Sequence, residues 1–192
     1  MPDPARPLRP QPAWAHRTGL VHVESRPPAG LDVAQTLQDR LHRYCWGFDE
    51  RRHDVLIDTF TADCVWVGDV MGETTIGPHR GRDTVLAWLS AFWDHQRDQR
   101  RHVVTNFVLE ELGESTASGM AYLLLVGASN ASVVLEAAGL YRVQYRLEQD
   151  GVWRITQLTA GFDAPFWRTE VEAMAPRVRE LFGITRHEPP TA

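Results

Sequence analysis

The amino-acid sequence predicts an α+β fold in which a cone-shaped, curved antiparallel sheet carries three helices on one face. In the first half of the chain, apolar residues recur at three- and four-residue steps, which is helical spacing. Four β-prone segments then follow one another without an intervening helix, which favours an antiparallel sheet over a parallel one. The chain has 192 residues, of which 43% are hydrophobic, so it can bury the core of one domain.

Composition divides the chain into three regions. Residues 1–28 contain seven of the twelve prolines, which predicts a disordered or wrapping arm. Residues 29–165 hold the predicted sheet and its three helices. Residues 166–192 are predicted to form a C-terminal helix, which ends at Gly183, and a loose tail.

The first two predicted helices meet at an acidic break. Asp49 ends the first helix and is predicted to cap the second. A polar turn is expected at 61–63, a strand at 64–67, and further turns at 71–81. The inner faces of the two helices comprise Val33, Leu37, Leu41, Tyr44, Cys45, Phe48, Val55, Leu56 and Phe60.

The second half of the chain starts with a third predicted helix at 82–95. Four strands are predicted after it, at 102–111, 115–127, 133–147 and 152–162. Asp150-Gly151 favours a tight hairpin before the last strand. Alternation in the third of these strands predicts an exposed outer face made of Leu140, Arg142, Gln144, Arg146 and Glu148.

Charge and motif content argue against several functional classes. The net charge of −5 does not favour nucleic acid as a partner, and no apolar run approaches the ~20 residues of a membrane helix. Cys45 and Cys64 are predicted to be buried thiols, and the protein is predicted to be cytoplasmic. Glycine-rich nucleotide motifs and zinc-like histidine spacing are missing from the sequence, so neither a cofactor nor a metal ion is expected.

Several sequence motifs resemble one known family. The run FDERRHDVLIDTFTADCVW at 48–66, the pair Gly81-Arg82 and the run VWRI at 152–155 are similar to the nuclear transport factor 2-like superfamily, in its SnoaL-like and scytalone-dehydratase-like branch. This resemblance implies a cystatin-like α-β barrel. It also implies a small, largely apolar metabolite as ligand, no cofactor, and pairing into a homo-oligomer, either a dimer or a trimer.

Two kinds of evidence indicate a candidate active site: the alternation of side chains along a predicted strand, and the family resemblance. Alternation predicts that His102 and Asn106 face the same side of their strand, among apolar neighbours. In dehydratases and dehydrohalogenases that resemble this chain, a carboxylate and a histidine at the positions of Asp49 and His102 form a catalytic dyad, and a tyrosine at the position of Tyr44 points into the cavity. The candidate substrate-binding residues are Asn106, Trp66, Phe162 and Trp167.

The sequence leaves alternatives open at two levels. Taken singly, Asp49 is better explained as an ordinary helix cap, and His102 as a hydrogen-bonded core histidine. For the whole chain, the main prediction is a cofactor-independent lyase or isomerase that is similar to dehydratases. The alternatives are a non-catalytic binding or assembly module, such as the β subunits of ring-hydroxylating oxygenases, and a polyketide cyclase.

Overall fold

A computed structural model describes residues 17–18, 32–72, 74–129, 132–163 and 184–186. The α+β prediction is confirmed: three helices in these ranges accompany one curved sheet. The helices are α1 (Val33–Asp49), α2 (His53–Thr59) and α3 (Arg82–His95). The strands are β1 (Phe60–Val70), β2 (Thr74–Arg80), β3 (Gln99–Leu112), β4 (Thr116–Ser129), β5 (Ser132–Leu147), β6 (Trp153–Phe162) and β7 (Ile184–Arg186).

Helix α1 begins at a capping box. The Asp32 carboxylate accepts from the backbone N–H of Gln35 at 2.8 Å, and the Gln35 side-chain oxygen accepts from the backbone N–H of Asp32. The predicted apolar spacing places Leu37, Leu41 and most of its other members in the core, although Val33 is exposed. The long helix is therefore anchored at its start and packs by one face.

The sheet is mixed rather than wholly antiparallel. Its strands lie in the order β3-β4-β5-β6-β1-β2-β7, and β1 runs parallel to β6 from Val65 beside Gln157 to Val70 beside Phe162. Consecutive strands joined by tight turns must be antiparallel. The pair β1 and β6 is not consecutive, so local sequence patterns do not determine its direction.

Two predicted turns were wrong because they belong to strands. Residues 61–63 continue β1, and much of the 71–81 segment is strand β2, which pairs antiparallel with β1. Gly72 and Gly77 adopt positive φ values of 74° and 85°, which accounts for the turn-like composition. Pairing with β1 supplies the backbone hydrogen bonds that make the segment a strand.

The C-terminal prediction differs from the structure at one place. Within the expected loose tail, Ile184–Arg186 forms strand β7 and pairs with β2. The expected C-terminal helix and Trp167 lie outside the described residues. So does the N-terminal arm, apart from residues 17–18.

The core fills the space between the helices and the concave face of the sheet. In β5 the predicted alternation holds, with Tyr141 and Val143 buried and Leu140 and Arg142 exposed. Cys45 and Cys64 are free, buried thiols, as predicted. None of the helices in the described ranges is long and apolar enough to cross a lipid bilayer.

Candidate active site

Asp49 and His102 lie side by side where the end of α1 meets the start of β3. One carboxylate oxygen, Oδ1, lies 2.6 Å from His102 Nδ1, and the other, Oδ2, accepts from the backbone N–H of His102 at 2.8 Å. Their side chains are only 5% and 6% exposed. The two-point contact fixes both the plane of the carboxylate and the orientation of the imidazole.

This geometry corrects the predicted role of Asp49. The residue that precedes α2 is Arg52, and no side chain caps this helix. The Asp49 carboxylate instead lies at the C-terminal end of α1, where the helix dipole disfavours a negative charge. The two hydrogen bonds with His102 offset that disadvantage, so the carboxylate is held for the histidine rather than for the next helix.

The contact also determines which ring nitrogen carries the proton. An ionised carboxylate only accepts hydrogen bonds, so His102 Nδ1 must be the donor in the neutral ring. The other nitrogen, Nε2, then keeps a lone pair. None of the described residues hydrogen-bonds Nε2. It is available to take a proton from a ligand.

Aromatic side chains surround the imidazole. The ring centroid of Phe48 lies 5.4 Å from that of His102, Tyr44 lies 6.1 Å away, and Tyr141 is stacked at 6.3 Å. Such surroundings exclude water and strengthen the interaction between the imidazole and the Asp49 carboxylate.

Tyr44 is buried in contact with Trp66 and Tyr141. Its oxygen accepts from Trp66 Nε1 at 3.2 Å, and its ring meets that of Tyr141 edge-on at a centroid distance of 5.8 Å. Burial raises the pKa of both tyrosines well above the ordinary value. Tyr44 therefore stays protonated, its ring lies edge-on to His102, and its hydroxyl accepts from Trp66.

Trp66 extends the aromatic surface toward α3. Its ring centroid lies 4.1 Å from Trp88, and His79 stacks on Trp88 at 4.3 Å. His79 Nε2 and Trp88 Nε1 are buried without a hydrogen-bond partner in the described structure. Trp66, a predicted ligand contact, thus connects the dyad's aromatic neighbours with a second ring cluster.

The prediction that Asn106 faces the same side of the strand as His102 was wrong. The register of β3 shifts between Thr105 and Val108, and Asn106 has a positive φ of 56°. A bulge of this kind reverses the alternation, so Asn106 is exposed and Phe107 packs against the core instead. Strict alternation from His102 could not reveal the inserted residue.

The remaining predicted site residues divide between described and undescribed parts of the chain. Phe162 ends β6 as a buried member of the core, and Trp167 lies outside the described residues. Sequence reasoning missed Tyr141 as a neighbour of His102, although its inward position on β5 was a usable signal. In the described ranges, no three His, Cys, Asp or Glu side chains are grouped as a metal ion requires.

Comparison with known proteins agrees with this architecture. The model of the SnoaL-like domain matches residues 31–159, two thirds of the chain. The chain belongs to the SnoaL-like domain family. No curated protein sequence matches it.

Solved structures similar to this SnoaL-like protein support the fold. A Novosphingobium aromaticivorans protein assigned as the β subunit of an aromatic-ring-hydroxylating dioxygenase is 17% identical, with a TM-score of 0.61 over 70% of this chain and 94% of its own. A Mycobacterium tuberculosis protein of unknown function is 23% identical, with a TM-score of 0.57 over 75% and 78%. LinA is 23% identical, with a TM-score of 0.56 over 67% and 84%. At these identities the likeness concerns the fold alone.

Proposed function

We propose that this SnoaL-like protein is a cofactor-independent lyase or isomerase in which His102 is the general base and Asp49 orients it. The observation that carries the proposal is the two-point contact of one buried carboxylate with the histidine's backbone and Nδ1, which leaves Nε2 for a ligand.

The reaction follows from this arrangement. Nε2 removes a proton from a carbon beside a carbonyl group, and the electron pair of that C–H bond moves toward the carbonyl. Departure of a group on the neighbouring carbon, with its own electron pair, completes an elimination. Return of the proton to a different carbon completes an isomerisation. Asp49 stays ionised and stabilises the imidazolium that forms between the two proton transfers.

The surroundings of the dyad favour an apolar, small-molecule substrate. Phe48, Tyr44 and Tyr141 offer ring faces and edges, and the Tyr44 hydroxyl already accepts from Trp66. Binding would therefore depend mainly on apolar contact, with few polar groups to fix orientation. A hydrophobic cyclic ketone fits this description.

The test is solvent-deuterium exchange into 2-tetralone, an apolar ketone with acidic C–H bonds, followed by NMR. We expect the wild-type protein to accelerate exchange, and the His102→Gln variant to lose about 10²- to 10⁴-fold of that acceleration. His53→Gln is the matched control, because His53 is exposed and hydrogen-bonds Ser90 outside the dyad. Equal exchange by wild-type protein and His102→Gln would contradict the proposal.

A second candidate function is that of an assembly module, and a specific surface favours it. The outer face of β4 exposes Met120, Tyr122 and Leu124, and the neighbouring strands add Val103 and Leu140 beside them. A contiguous apolar patch of this kind is typical of an interaction surface. A symmetric second copy would bury the same patch on both subunits, which is consistent with the predicted homo-oligomer.

Light scattering tests the assembly proposal. We expect a particle larger than the 21.8 kDa monomer, and a shift toward the monomer for Tyr122→Glu, because the exposed phenol ring would be replaced by a charge. Gln144→Glu, on the same outer face of β5 but beyond the apolar patch, is the matched control. A 21.8 kDa particle at micromolar wild-type protein would exclude self-association.

A further inference from the structure

The dyad is held by a larger set of contacts that join the last residue of α1 and the residue after it to the first residues of β3. Asp49 contacts His102, and its neighbour Glu50 forms an ion pair with Arg101. Gln99, at the start of β3, donates from Nε2 to the backbone carbonyl of Asp49 at 3.2 Å. Side chains from three positions of one strand thus hold the last turn of the helix.

Gln99 meets a specific need at this helix end. The last four carbonyl groups of an α-helix have no partner within the helix. Asp49 is the final residue of α1, and the Gln99 amide satisfies its carbonyl from outside the helix. The same amide group also donates to the carbonyl of Arg100 at 2.8 Å. Both donors of Gln99 are therefore committed, and one of them fixes the backbone that carries the dyad carboxylate.

The side-chain oxygen of Gln99 gives a second, independent indication that this position requires the amide donors. The side chain is 2% exposed, and its Oε1 is buried without a hydrogen-bond partner in the described structure. An unsatisfied buried oxygen is destabilising, and an apolar residue of similar shape would avoid it. A side chain that merely filled space would not carry this oxygen, so the donor side of the amide accounts for a glutamine at this position.

The Glu50–Arg101 pair protects the same arrangement electrostatically. Glu50 is buried directly beside Asp49, at the helix end where negative charge is already disfavoured. Arg101 balances the charge of Glu50 with its guanidinium group. The ion pair therefore compensates the second buried carboxylate at the point where the chain leaves α1.

We infer that Gln99 is a positioning residue for the dyad: it fixes the Asp49 backbone so that both carboxylate oxygens stay on His102. The inference rests on the proposed function for its catalytic consequence only. If Gln99 is removed, the carboxylate gains freedom at the end of α1, and the contact with Nδ1 is lost part of the time. The neutral histidine then carries its proton on Nε2 for part of the time, and that fraction cannot act as a base.

The test replaces Gln99 by methionine, which has a similar length but no donor. The ring ¹⁵N shifts of His102 in the full-length protein report the tautomer without any substrate, and His102→Gln assigns the signals. We expect one tautomer, protonated at Nδ1, in the wild type and a mixture in Gln99→Met. Exchange into 2-tetralone should then fall by up to about 10²-fold, since small misplacements of a catalytic group have effects of this size.

Two further variants keep the inference falsifiable. Gln157→Leu removes a half-buried amide that donates to Thr159 on β6, so it should lower stability without changing the His102 signals. If Gln99→Met does not fold, Gln99→Asn retains an amide that is too short to reach Asp49, and the same tautomer mixture is expected. Unchanged His102 shifts in the folded variant would overturn the inference.

The two proposals fail in different ways. A shifted tautomer in Gln99→Met, together with undiminished exchange in His102→Gln, would leave the positioning role intact and remove the catalytic one. An unshifted tautomer, with activity lost in His102→Gln, would do the reverse.

Discussion

Two charged clusters that include residues of helix α1 differ in whether an atom able to accept a proton is left without a partner. In one, Asp58 accepts from Arg40 at 2.9 Å and from Arg154 at 3.0 Å, and Arg154 also binds Glu148 and Asp150. Burial raises the pKa of Asp58, but the hydrogen bonds from the two arginines outweigh it and lower the pKa overall. This cluster ties α1 and α2 to strand β6.

The other cluster is the dyad. Asp49 uses both carboxylate oxygens on His102, but Nε2 of His102 meets no described hydrogen-bond partner. The arginine cluster is closed by ion pairs on several sides, whereas the dyad ends at a nitrogen that can still accept a proton. Burial of charge alone therefore does not distinguish the two clusters. The difference lies in whether a titratable atom is left over.

The largest expected effect is on the activity of the Asp49–His102 dyad. Asp49→Asn would place an amide N–H₂ group against one of the two donors of His102, which favours the tautomer with the proton on Nε2. Loss of the orienting carboxylate in this way can lower turnover by up to about 10⁴-fold. Deuterium exchange into 2-tetralone measures this loss of turnover.

The control for this prediction is Asp39→Asn. Asp39 pairs with Arg43 on the same helix and makes no contact with His102. An Asp39→Asn protein as slow as Asp49→Asn would indicate a general effect of charge on α1 and would break the distinction between the two clusters.

Substitutions in the arginine cluster should lower stability rather than activity. Asp58→Ala leaves the 1%-exposed Arg40 without its main carboxylate, and breaking a buried pair costs about 3–5 kcal/mol in the free energy of unfolding. Urea denaturation measures this cost. Asp54→Ala, which removes a more exposed partner of Arg52, should change stability by only about 0.5 kcal/mol or less. A small effect at Asp58 would contradict the structural role assigned to the cluster.

A third comparison uses a histidine outside the dyad. Burial lowers the pKa of His79, so the folded protein binds a proton there less readily than the unfolded chain does. Its contribution to stability is present above about pH 6.5 and is lost as the pH falls through the lowered pKa.

The measurement is the free energy of unfolding between neutral and mildly acidic pH. We expect the wild-type curve to fall more steeply than that of His79→Gln. Burial also lowers the pKa of His42. A His42→Gln variant therefore separates the contribution of His42 from that of His79. Parallel curves for wild type and His79→Gln would show that protonation of His79 is not disfavoured by the fold.

The smallest effect is expected at an exposed pair. Arg146 binds Asp63 in a two-pronged contact and, through its hydrogen bonds, lowers the pKa of Asp63 to about 2. Both side chains are largely accessible to solvent, so Asp63→Asn should cost only about 0–1 kcal/mol in thermal or urea unfolding. A cost as large as that of Asp58→Ala would remove burial as the factor that separates these pairs.

Much of the fold could be predicted from local patterns. Helix α3 has the predicted bounds, and strands β4 to β6 lie within two residues of theirs. Strand β3 begins at Gln99, three residues before the predicted start. The error matters for the site, because those polar residues do not resemble a strand and yet include Gln99 and Arg101, which hold the end of α1.

The candidate site was harder to predict. Resemblance to the family indicated Asp49 and His102 as a pair, and the structure places them in contact. Asn106 was misplaced because the β3 bulge inserts one residue, and a one-residue slip moves every later side chain to the opposite face. Tyr141 was predicted to face inward, but its position next to His102 depends on how strands β3 to β5 pair.

The sequence by itself determined the helices, most of strands β3 to β6 and most of the apolar faces, because these properties depend on residues a few positions apart. Only the tertiary structure decided that β1 runs beside β6 and that Asp49 meets a histidine 53 positions further along the chain. Contacts of this kind depend on the bend and register of the whole sheet. No local spacing of residues encodes them.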